Sequence, residues 1–155
     1  MKPYEAFVSK FGGRKIAFNQ EYIVEKNNRF YFLNSRLKKM PINFYYAGLY
    51  LGKTKNGVFF PSFNLLNFLV EAADNKVVVN GKAAWLFVCG RDVFHSGLLR
   101  VMGSKQKGNA TLVLNEFGEC LGFGKIIDDL DGAYNKVAIQ NVLDVGDFLR
   151  RERNR

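Results

Sequence analysis

The second half of the sequence is a series of short, strand-like runs separated by turns rich in Gly, Lys and Asp. The clearest runs are residues 98–102, 110–114, 120–127 and 136–142. Short strands at such regular spacing are typical of a small β-barrel or β-sandwich, because each turn uses only a few residues. The pattern therefore predicts a barrel or sandwich in this half of the chain.

Three further elements are predicted around these runs. A β-branched strand covers residues 76–79, and an apolar helical turn covers residues 83–88 and ends near Gly90. Residues 144–150 are predicted to form a final helix, because an Asp at the start and an Arg at the end suit the helix dipole.

The first half has a different pattern, with 5 of the 15 glycines and most of the Phe and Tyr residues. Periodicity and turn residues predict a helix at 3–11, a hairpin of 22–25 and 29–33, a basic helix at 36–39, strands at 45–51 and 58–60 around Asn56-Gly57, and a helix capped by Ser62. We therefore expect an α+β chain of two domains. A small N-terminal α/β domain with an antiparallel sheet would cover residues 1–74, and the barrel-like domain residues 75–155.

The chain carries a large excess of positive charge. It has 23 Lys and Arg against 14 Asp and Glu, a formal net charge of +9. Such an imbalance favours a polyanionic partner, either nucleic acid or an anionic membrane surface. No apolar run approaches the roughly 18 residues that cross a bilayer, and the N-terminus has no signal-peptide pattern. We therefore expect a cytoplasmic protein and no membrane partner.

The basic residues form three clusters. They are Arg150, Arg151, Arg153 and Arg155 at the C-terminus, Lys105 and Lys107 in a turn, and Arg36, Lys38, Lys39, Lys53 and Lys55 in the first half. Guanidinium groups that replace counterions on a phosphate backbone add salt-dependent affinity, so the C-terminal cluster is the leading candidate for contact with nucleic acid. The alternative is that these arginines form a solvated helix end.

Aromatic residues of the first half are further candidates for contact with bases. Tyr45, Tyr46 and Phe60 would be able to stack on unpaired bases. Most aromatic residues of a half-buried sheet belong to its core, however, so we expect most of them to be buried.

Three stretches resemble ligand-binding motifs but lack essential residues. Residues 47–54 match a phosphate-binding loop except for Ala47, and strand residues follow where a helix is required. Gly122-Phe-Gly124 lacks the third glycine of a dinucleotide fingerprint, and a close backbone approach explains it better. Asp129-Leu-Asp131-Gly132 has only half of a calcium loop and is predicted to be a solvated turn. We therefore expect no cofactor and no metal site.

The remaining reactive residues do not form a catalytic pattern. Cys89, His95 and Ser96 are close in sequence, but adjacent residues point apart, and Asp92 is the only nearby carboxylate that could orient the histidine. Cys89 and Cys120 are predicted to be reduced core thiols, because a cytosolic chain of this size does not need a disulfide, and one bridge between them is the alternative. We expect no catalytic residue.

Three motifs, taken in order, resemble a PUA domain. They are Gly90-Arg-Asp-Val-Phe-His-Ser-Gly-Leu-Leu-Arg100, Leu121-Gly-Phe-Gly124 and Asp144-Val-Gly-Asp-Phe-Leu-Arg150. Together with Gly48–Lys53 and the helix at residues 63–73, the likeness covers residues 20–155. The chain most resembles the Nip-seven family of large-subunit ribosome-biogenesis proteins, in its archaeal form.

The resemblance implies a C-terminal PUA-type mixed β pseudo-barrel in a non-catalytic protein. Such a protein would bind uridine-rich or single-stranded precursor ribosomal RNA in rRNA processing, as a monomer and without a cofactor. The resemblance maps the RNA surface onto the C-terminal arginines, and it adds Arg91, His95 and Arg100 at the groove of the PUA domain. Pre-ribosomal assembly factors are the implied partners of the N-terminal domain, and residues 1–20 match nothing in the family.

Two other functions remain open. PUA modules commonly accompany RNA-modifying catalysts, so the chain would alternatively be an RNA-modification enzyme or its accessory subunit. The first half, however, lacks a glycine-rich cofactor loop and a metal triad. A third possibility is an adaptor whose first half docks an assembly factor through an exposed aromatic patch.

Overall fold

Two separate β-sheets organise the chain, one in each half of the sequence. They are seen in a computed structural model that describes residues 1–13, 19–41, 43–132 and 135–152. The chain divides into two units, the first formed by Met1–Ser9 and Arg14–Ala72 and the second by Lys10–Gly13 and Ala73–Arg155. No helix within the described ranges is long and apolar enough to cross a bilayer.

The first unit combines short helices with an antiparallel sheet. Its elements are α1 (Pro3–Val8), β1 (Ile23–Lys26), β2 (Arg29–Phe32), α2 (Ser35–Lys39), β3 (Leu49–Lys55), β4 (Val58–Pro61) and α3 (Phe63–Ala72). The strands lie in the order β1-β2-β3-β4, and each pairs antiparallel with its neighbour. The predicted antiparallel sheet of the first half is therefore confirmed.

Two tight turns set the register of this sheet. Asn27 and Asn28 connect β1 to β2 with φ of 51° and 60°, and Asn56 and Gly57 connect β3 to β4 with φ of 51° and 75°. A two-residue hairpin turn needs positive φ at both central residues, which Asn and Gly tolerate better than other residues. Both predicted hairpins are therefore present.

Aromatic and leucine side chains form the core of the first unit. The rings of Tyr4 and Phe7 on α1 contact those of Phe30 and Phe59, at centroid distances of 5.6 and 5.5 Å. Three leucines of α3 and Leu51 of β3 are also buried. Burial of this much apolar surface provides the main driving force for folding of a unit this small.

One predicted strand of the first unit is shorter than expected. The sequence predicts a strand from Tyr45, but β3 begins at Leu49. The ring of Tyr46 packs on Tyr31 instead, with centroids 5.3 Å apart. The hydroxyl of Tyr31 also donates a hydrogen bond to the carbonyl of Tyr45 at 3.4 Å. Contacts with the sheet therefore override the strand propensity of this segment.

The second unit is built on a mixed sheet. Its elements are β5 (Lys76–Val79), α4 (Gly81–Val88), β6 (Val93–Phe94), β7 (Leu98–Met102), β8 (Ala110–Leu114), β9 (Cys120–Ile126), β10 (Val137–Asp144) and α5 (Asp147–Glu152). The strand order is β6-β10-β9-β8-β5-β7, in which β5 and β8 are parallel and the other neighbours antiparallel.

The two edge strands of this sheet are consecutive in the chain. The 3₁₀ turn His95–Gly97 connects β6 to β7, although four strands lie between them in the sheet. The sheet must therefore curl until its two edges approach each other, which produces a half-barrel with an open seam. This geometry agrees with the barrel predicted from the spacing of the short strands.

Apolar residues from every part of the half-barrel fill its interior. The core cluster includes Val77 and Val79 of β5, Phe87 of α4, and Ile139 of β10. The segment Lys10–Gly13 adds to this unit, because the carbonyl of Phe11 accepts a hydrogen bond from the Asn75 amide at 2.8 Å and the Phe11 ring contacts Phe123.

Two glycines allow β9 and β10 to pack closely. A Cβ atom at Gly122 would lie 1.9 Å from the Leu143 carbonyl oxygen, and one at Gly124 would lie 2.4 Å from Cγ2 of Ile139. Real side chains do not fit at such distances, so both positions require glycine. The close backbone approach predicted for this pair is confirmed.

Candidate nucleic-acid interface

A cleft of about 430 Å³ opens at the seam of the half-barrel. It is lined by His95, Leu98–Val101, Lys105 and Leu130–Gly132, and we call it the seam cleft. The β7 edge, the turn after β6 and two loops contribute to its wall. Three residues that the sequence analysis assigned to RNA binding, His95, Arg100 and Lys105, therefore line the same cleft.

His95 is the buried member of these three residues. Its ring Nε2 donates a hydrogen bond to the carboxylate of Asp128 at 3.1 Å, and its backbone amide donates to the Lys136 carbonyl at 3.0 Å. The carboxylate partner is thus Asp128, 33 residues away, and not Asp92, which accepts a hydrogen bond from the Asn141 amide. His95 is held in one orientation by these contacts.

Arg100 is the cation of the cleft that is not neutralised. It is exposed on β7, and no ion pair joins it to a residue within the described part of the chain. Its neighbour Leu99 is also exposed, so β7 presents an apolar and a cationic side chain at the rim. This combination suits a ligand that has both an apolar surface and a negative charge.

Two lysines of the loop between β7 and β8 lie beside an acidic turn. Lys105 Nζ is 3.0 Å from Asp131 Oδ1 in an exposed ion pair. The backbone amide of Lys107 donates to Asp129 Oδ1 at 2.7 Å, which leaves its exposed ammonium group available to solvent. Asp129 and Asp131 thus organise the loop as part of a turn, as the sequence analysis predicted. An exposed pair of this kind is worth at most about 1 kcal/mol, so a phosphate competes for Lys105 easily.

Arg150 has a different position from the one expected of an RNA-contacting residue. Its guanidinium donates to both carboxylate oxygens of Asp144, at 3.0 and 2.7 Å, and to the Val88 carbonyl at the end of α4, at 2.6 Å. The hydrogen bonds to Asp144 are the main cause that raises the pKa of Arg150 above its ordinary value. Arg150 therefore has a role in the fold, and its contact with RNA stays a prediction.

Asp144 is the centre of this network and is itself buried. In addition to Arg150, its carboxylate accepts hydrogen bonds from the Gly146 amide at 2.9 Å and the Asn141 side chain at 3.1 Å. The sequence pattern predicts Asp144 at the start of the last helix. It instead ends β10, and α5 begins at Asp147, because the carboxylate is used to bind Arg150 and the chain around it.

Two other predicted residues, Arg91 and Arg151, do not line the cleft. Arg91 is exposed directly after α4, where its amide donates to the Leu86 carbonyl at 3.0 Å. Arg151 is exposed on α5, and its Nε lies 2.9 Å from Asp147 in a pair one turn apart. Arg153 and Arg155 are outside the described residues. RNA contact by all of these residues stays a prediction.

Three of the predicted RNA-binding residues pair with acidic residues that the sequence does not predict as their partners. Asp128, Asp131 and Asp144 pair with His95, Lys105 and Arg150. The sequence does show an acidic run at residues 128–131 opposite a basic turn, and this charge complementarity was an available signal. No comparable signal links Asp144 to Arg150, because their pairing depends on where β10 ends.

A curled mixed sheet with a helix after its first strand, which follows an antiparallel α/β unit in the chain, is the architecture of a PUA-type protein. Residues 75–153 match the family described as UPF0113 PUA domain. The match covers half of the chain, so the protein belongs to this family. The PUA fold is a known RNA-binding fold.

A relative from Archaeoglobus fulgidus supports the same family. This UPF0113 protein is 29% identical over 116 residues, which are 72% of this chain and 66% of the relative. The alignment therefore spans slightly less than two thirds of the relative's length. The predicted archaeal type of the chain is supported, whereas its assignment to the Nip-seven family stays a prediction.

Two solved structures have a similar fold. A conserved PUA domain protein from Thermoplasma acidophilum is 20% identical with a TM-score of 0.64, covering 96% of this chain and 91% of that one. A PUA domain from Aeropyrum pernix K1, solved as a tartrate complex, is 23% identical with a TM-score of 0.51, covering 61% of this chain and 56% of that one. The predicted α+β fold with a PUA-type half-barrel is therefore confirmed.

Proposed function

We propose that the protein is a non-catalytic RNA-binding factor that holds single-stranded RNA at the seam cleft of its PUA domain. The observation that carries the proposal is the convergence of Arg100, Lys105 and His95 on one cleft of about 430 Å³. A cavity of that size accommodates about one nucleotide. The family supports RNA as the partner because its fold is a known RNA-binding fold.

The geometry of the cleft suits a nucleotide better than a simple anion. Arg100 would contact the phosphate, because its planar guanidinium donates two parallel hydrogen bonds to phosphate oxygens. Leu98, Leu99 and Val101 would offer apolar contact to a base or ribose that is turned out of a single strand. Lys105 would exchange its exposed pair with Asp131 for a second phosphate contact.

The test is the salt dependence of RNA binding by the R100A/K105A variant of the full chain. Each lost phosphate contact on a single strand should reduce the slope of log affinity against log salt by about 0.7, so we expect a reduction of about 1.4. Binding of a uridine-rich oligonucleotide is measured by fluorescence anisotropy across a range of KCl concentrations.

The matched control is the K82A/K125A variant, which removes the same charge from exposed positions of the second unit outside the cleft. This control should keep most of the wild-type slope. If both variants lose the same slope, affinity follows total charge and the seam cleft is not the site. Unchanged binding by R100A/K105A would also overturn the proposal.

The C-terminal arginines are a second contact in this proposal. Arg151 has only an exposed pair with Asp147, which a phosphate displaces at little cost. Arg153 and Arg155 extend the same basic run in the sequence. Replacing all three by Ala would lower the salt slope further if they contact the backbone.

The biological role in this proposal is maturation of the large ribosomal subunit and processing of its precursor RNA. It rests on the resemblance to the Nip-seven family, with pre-ribosomal assembly factors as partners of the first unit and the cytoplasm as the location. Crosslinking in the native host followed by sequencing of the bound RNA would test it, because ribosomal RNA precursors should dominate the recovered fragments.

A further inference from the structure

The sheet of the first unit has one face that is strongly basic. In a paired sheet, residues opposite each other in the register point to the same side. Arg29 is opposite Lys53, Lys53 is opposite Phe60, and Tyr31 is opposite Tyr50. The residues on this side, which we call the open face, are Val24, Lys26, Arg29, Tyr31, Tyr50, Lys53, Lys55, Val58 and Phe60.

The opposite face is the one that α1 covers. Phe30 and Phe59 point to it and contact the rings of Tyr4 and Phe7. Glu25 is the one acidic residue in the four strands, and its pairing with Phe30 places it on that opposite side. The open face therefore carries four cations and no carboxylate among its strand residues.

The cations of the open face are not neutralised. Arg29, Lys53 and Lys55 are exposed, and none of them forms an ion pair with a residue that the structure describes. Lys26 has a different task, since its ammonium group donates to the Asn43 side chain and the Phe44 carbonyl and thereby fixes the loop before β3.

Aromatic rings lie among these cations and are accessible. Tyr46 is 65% exposed and Phe60 45% exposed. The Tyr46 ring contacts Tyr31 and Tyr50, with centroids 5.3 and 5.8 Å away, so it is held against the open face. Burial raises the pKa of Tyr50, and the charge of the Arg29 guanidinium partly offsets that rise.

We propose that the open face is a second RNA-binding surface, on which Tyr46 and Phe60 stack with unpaired bases while Arg29, Lys53 and Lys55 contact the phosphates. Exposed rings interleaved with cations are the pattern that binds single strands without strict sequence preference, because every base has a stacking surface. An acidic peptide would match the charge but would leave the rings without flat partners. This inference stands independently of the seam cleft.

The experiment compares two variants of the full chain on two ligands. The ligands are a short uridine oligonucleotide and an abasic oligonucleotide of the same length and backbone. K53A/K55A should weaken binding of both and reduce the salt slope by about 1.4, that is, about 0.7 per contact. Y46A/F60A should weaken binding of the uridine strand by at least about fivefold and leave the abasic strand unaffected, because stacking needs bases.

Matched controls separate these effects from general losses. K82A/K125A removes two exposed charges of the second unit outside the seam cleft and the open face, and F117A removes an exposed ring of the same unit. Neither control should change the affinity by more than about twofold. Thermal unfolding of each variant shows whether the fold is intact, and Y46L/F60L provides a second pair that keeps apolar bulk but not aromatic stacking.

All variants are also measured in the R100A/K105A background, which distinguishes this inference from the proposed function. If the open-face variants change nothing in either background, this inference is wrong and the seam cleft is unaffected. If Y46A/F60A loses both ligands equally, or if polyglutamate binds more tightly than RNA through Lys53 and Lys55, the surface is not an RNA platform. If R100A/K105A by itself abolishes binding of the uridine strand, the open face does not bind RNA and this inference is also overturned.

Discussion

At the residue scale, charges in this protein are either built into the fold or left free for a ligand. Arg150 and Asp144 form a bidentate pair in which the carboxylate is 2% exposed. Arg151 and Asp147 form a pair at a similar distance whose arginine side chain is 74% exposed. Two adjacent arginines thus have different roles, because only the first one meets a buried carboxylate.

The two arginines provide a direct test of this difference. R150A should lower the free energy of unfolding by about 3 kcal/mol, because it leaves the carboxylate of Asp144 buried without its cation. R151A should lower it by less than about 1 kcal/mol, since an exposed pair contributes little. Urea unfolding monitored by circular dichroism measures both values. If R150A lowers the free energy of unfolding as little as R151A does, Arg150 is not structural.

Both cysteines are predicted to be core thiols, but Cys89 is exposed and Cys120 is half-buried, so the prediction is wrong for Cys89. Desolvation raises the pKa of the Cys120 thiol to about 11. The thiolate, which is the reactive form, is therefore scarce at neutral pH. Neither the seam cleft nor the open face includes this residue, and a structural position in β9 accounts for it.

At the scale of elements, β9 and β10 approach each other closely in the half-barrel. Gly122 has φ of 145°, and a side chain there would collide with the Leu143 carbonyl. Two register shifts accompany this pair and its neighbour, between Asn141 and Leu143 and between Val113 and Leu114. The curl that creates the seam cleft depends on such local irregularities, since bulges increase the twist and bend of strands.

Substitution of Gly122, compared with substitution of Gly118, tests whether stability depends on this close approach. G122A should cost about 3 kcal/mol of stability or more, because it adds a steric clash to a strained backbone. Gly118 also has a positive φ, 81°, but a Cβ atom there would meet no other atom within 4 Å. G118A should therefore cost only about 1–2 kcal/mol of stability. Thermal and urea unfolding compare the two variants, and equal costs would show that the close approach is unimportant.

At the scale of the whole molecule, positive charge belongs mainly to the first half. Residues 1–74 hold 11 cations and 5 anions, against 12 and 9 in the remainder. In the second unit several cations are paired with acids, as in the Lys105–Asp131 pair. A polyanion would therefore be attracted by both halves of the chain, and four of the eleven cations of residues 1–74 lie on the open face.

The absence of catalysis is a prediction about the whole chain. Purified protein incubated with transfer and ribosomal RNA, with and without S-adenosylmethionine, should leave every nucleoside unchanged. Mass spectrometry of the digested RNA measures this outcome. Any turnover would contradict the binding-factor proposal and favour the RNA-modification alternative, with the protein as enzyme or subunit.

Local features of this protein follow from the sequence because their causes are local. The Asn-Gly turn at residues 56–57, the Ser62 cap and the period of the short strands all depend on neighbours a few residues apart. The Ser62 hydroxyl accepts the Leu65 amide at 3.2 Å, as predicted. The net charge, and hence the class of partner that it favours, likewise needs no structure.

Only the tertiary structure decided which charges are free. Whether Arg150 is a ligand group or a structural group depends on Asp144, and whether His95 is oriented depends on Asp128, 33 residues away. The same holds for the open face, where the register shift between Phe30 and Tyr31 brings Tyr50 to the same side as Lys53, three residues away in the chain. Strand pairing joins residues that are distant in the chain, and no local pattern records which ones will meet.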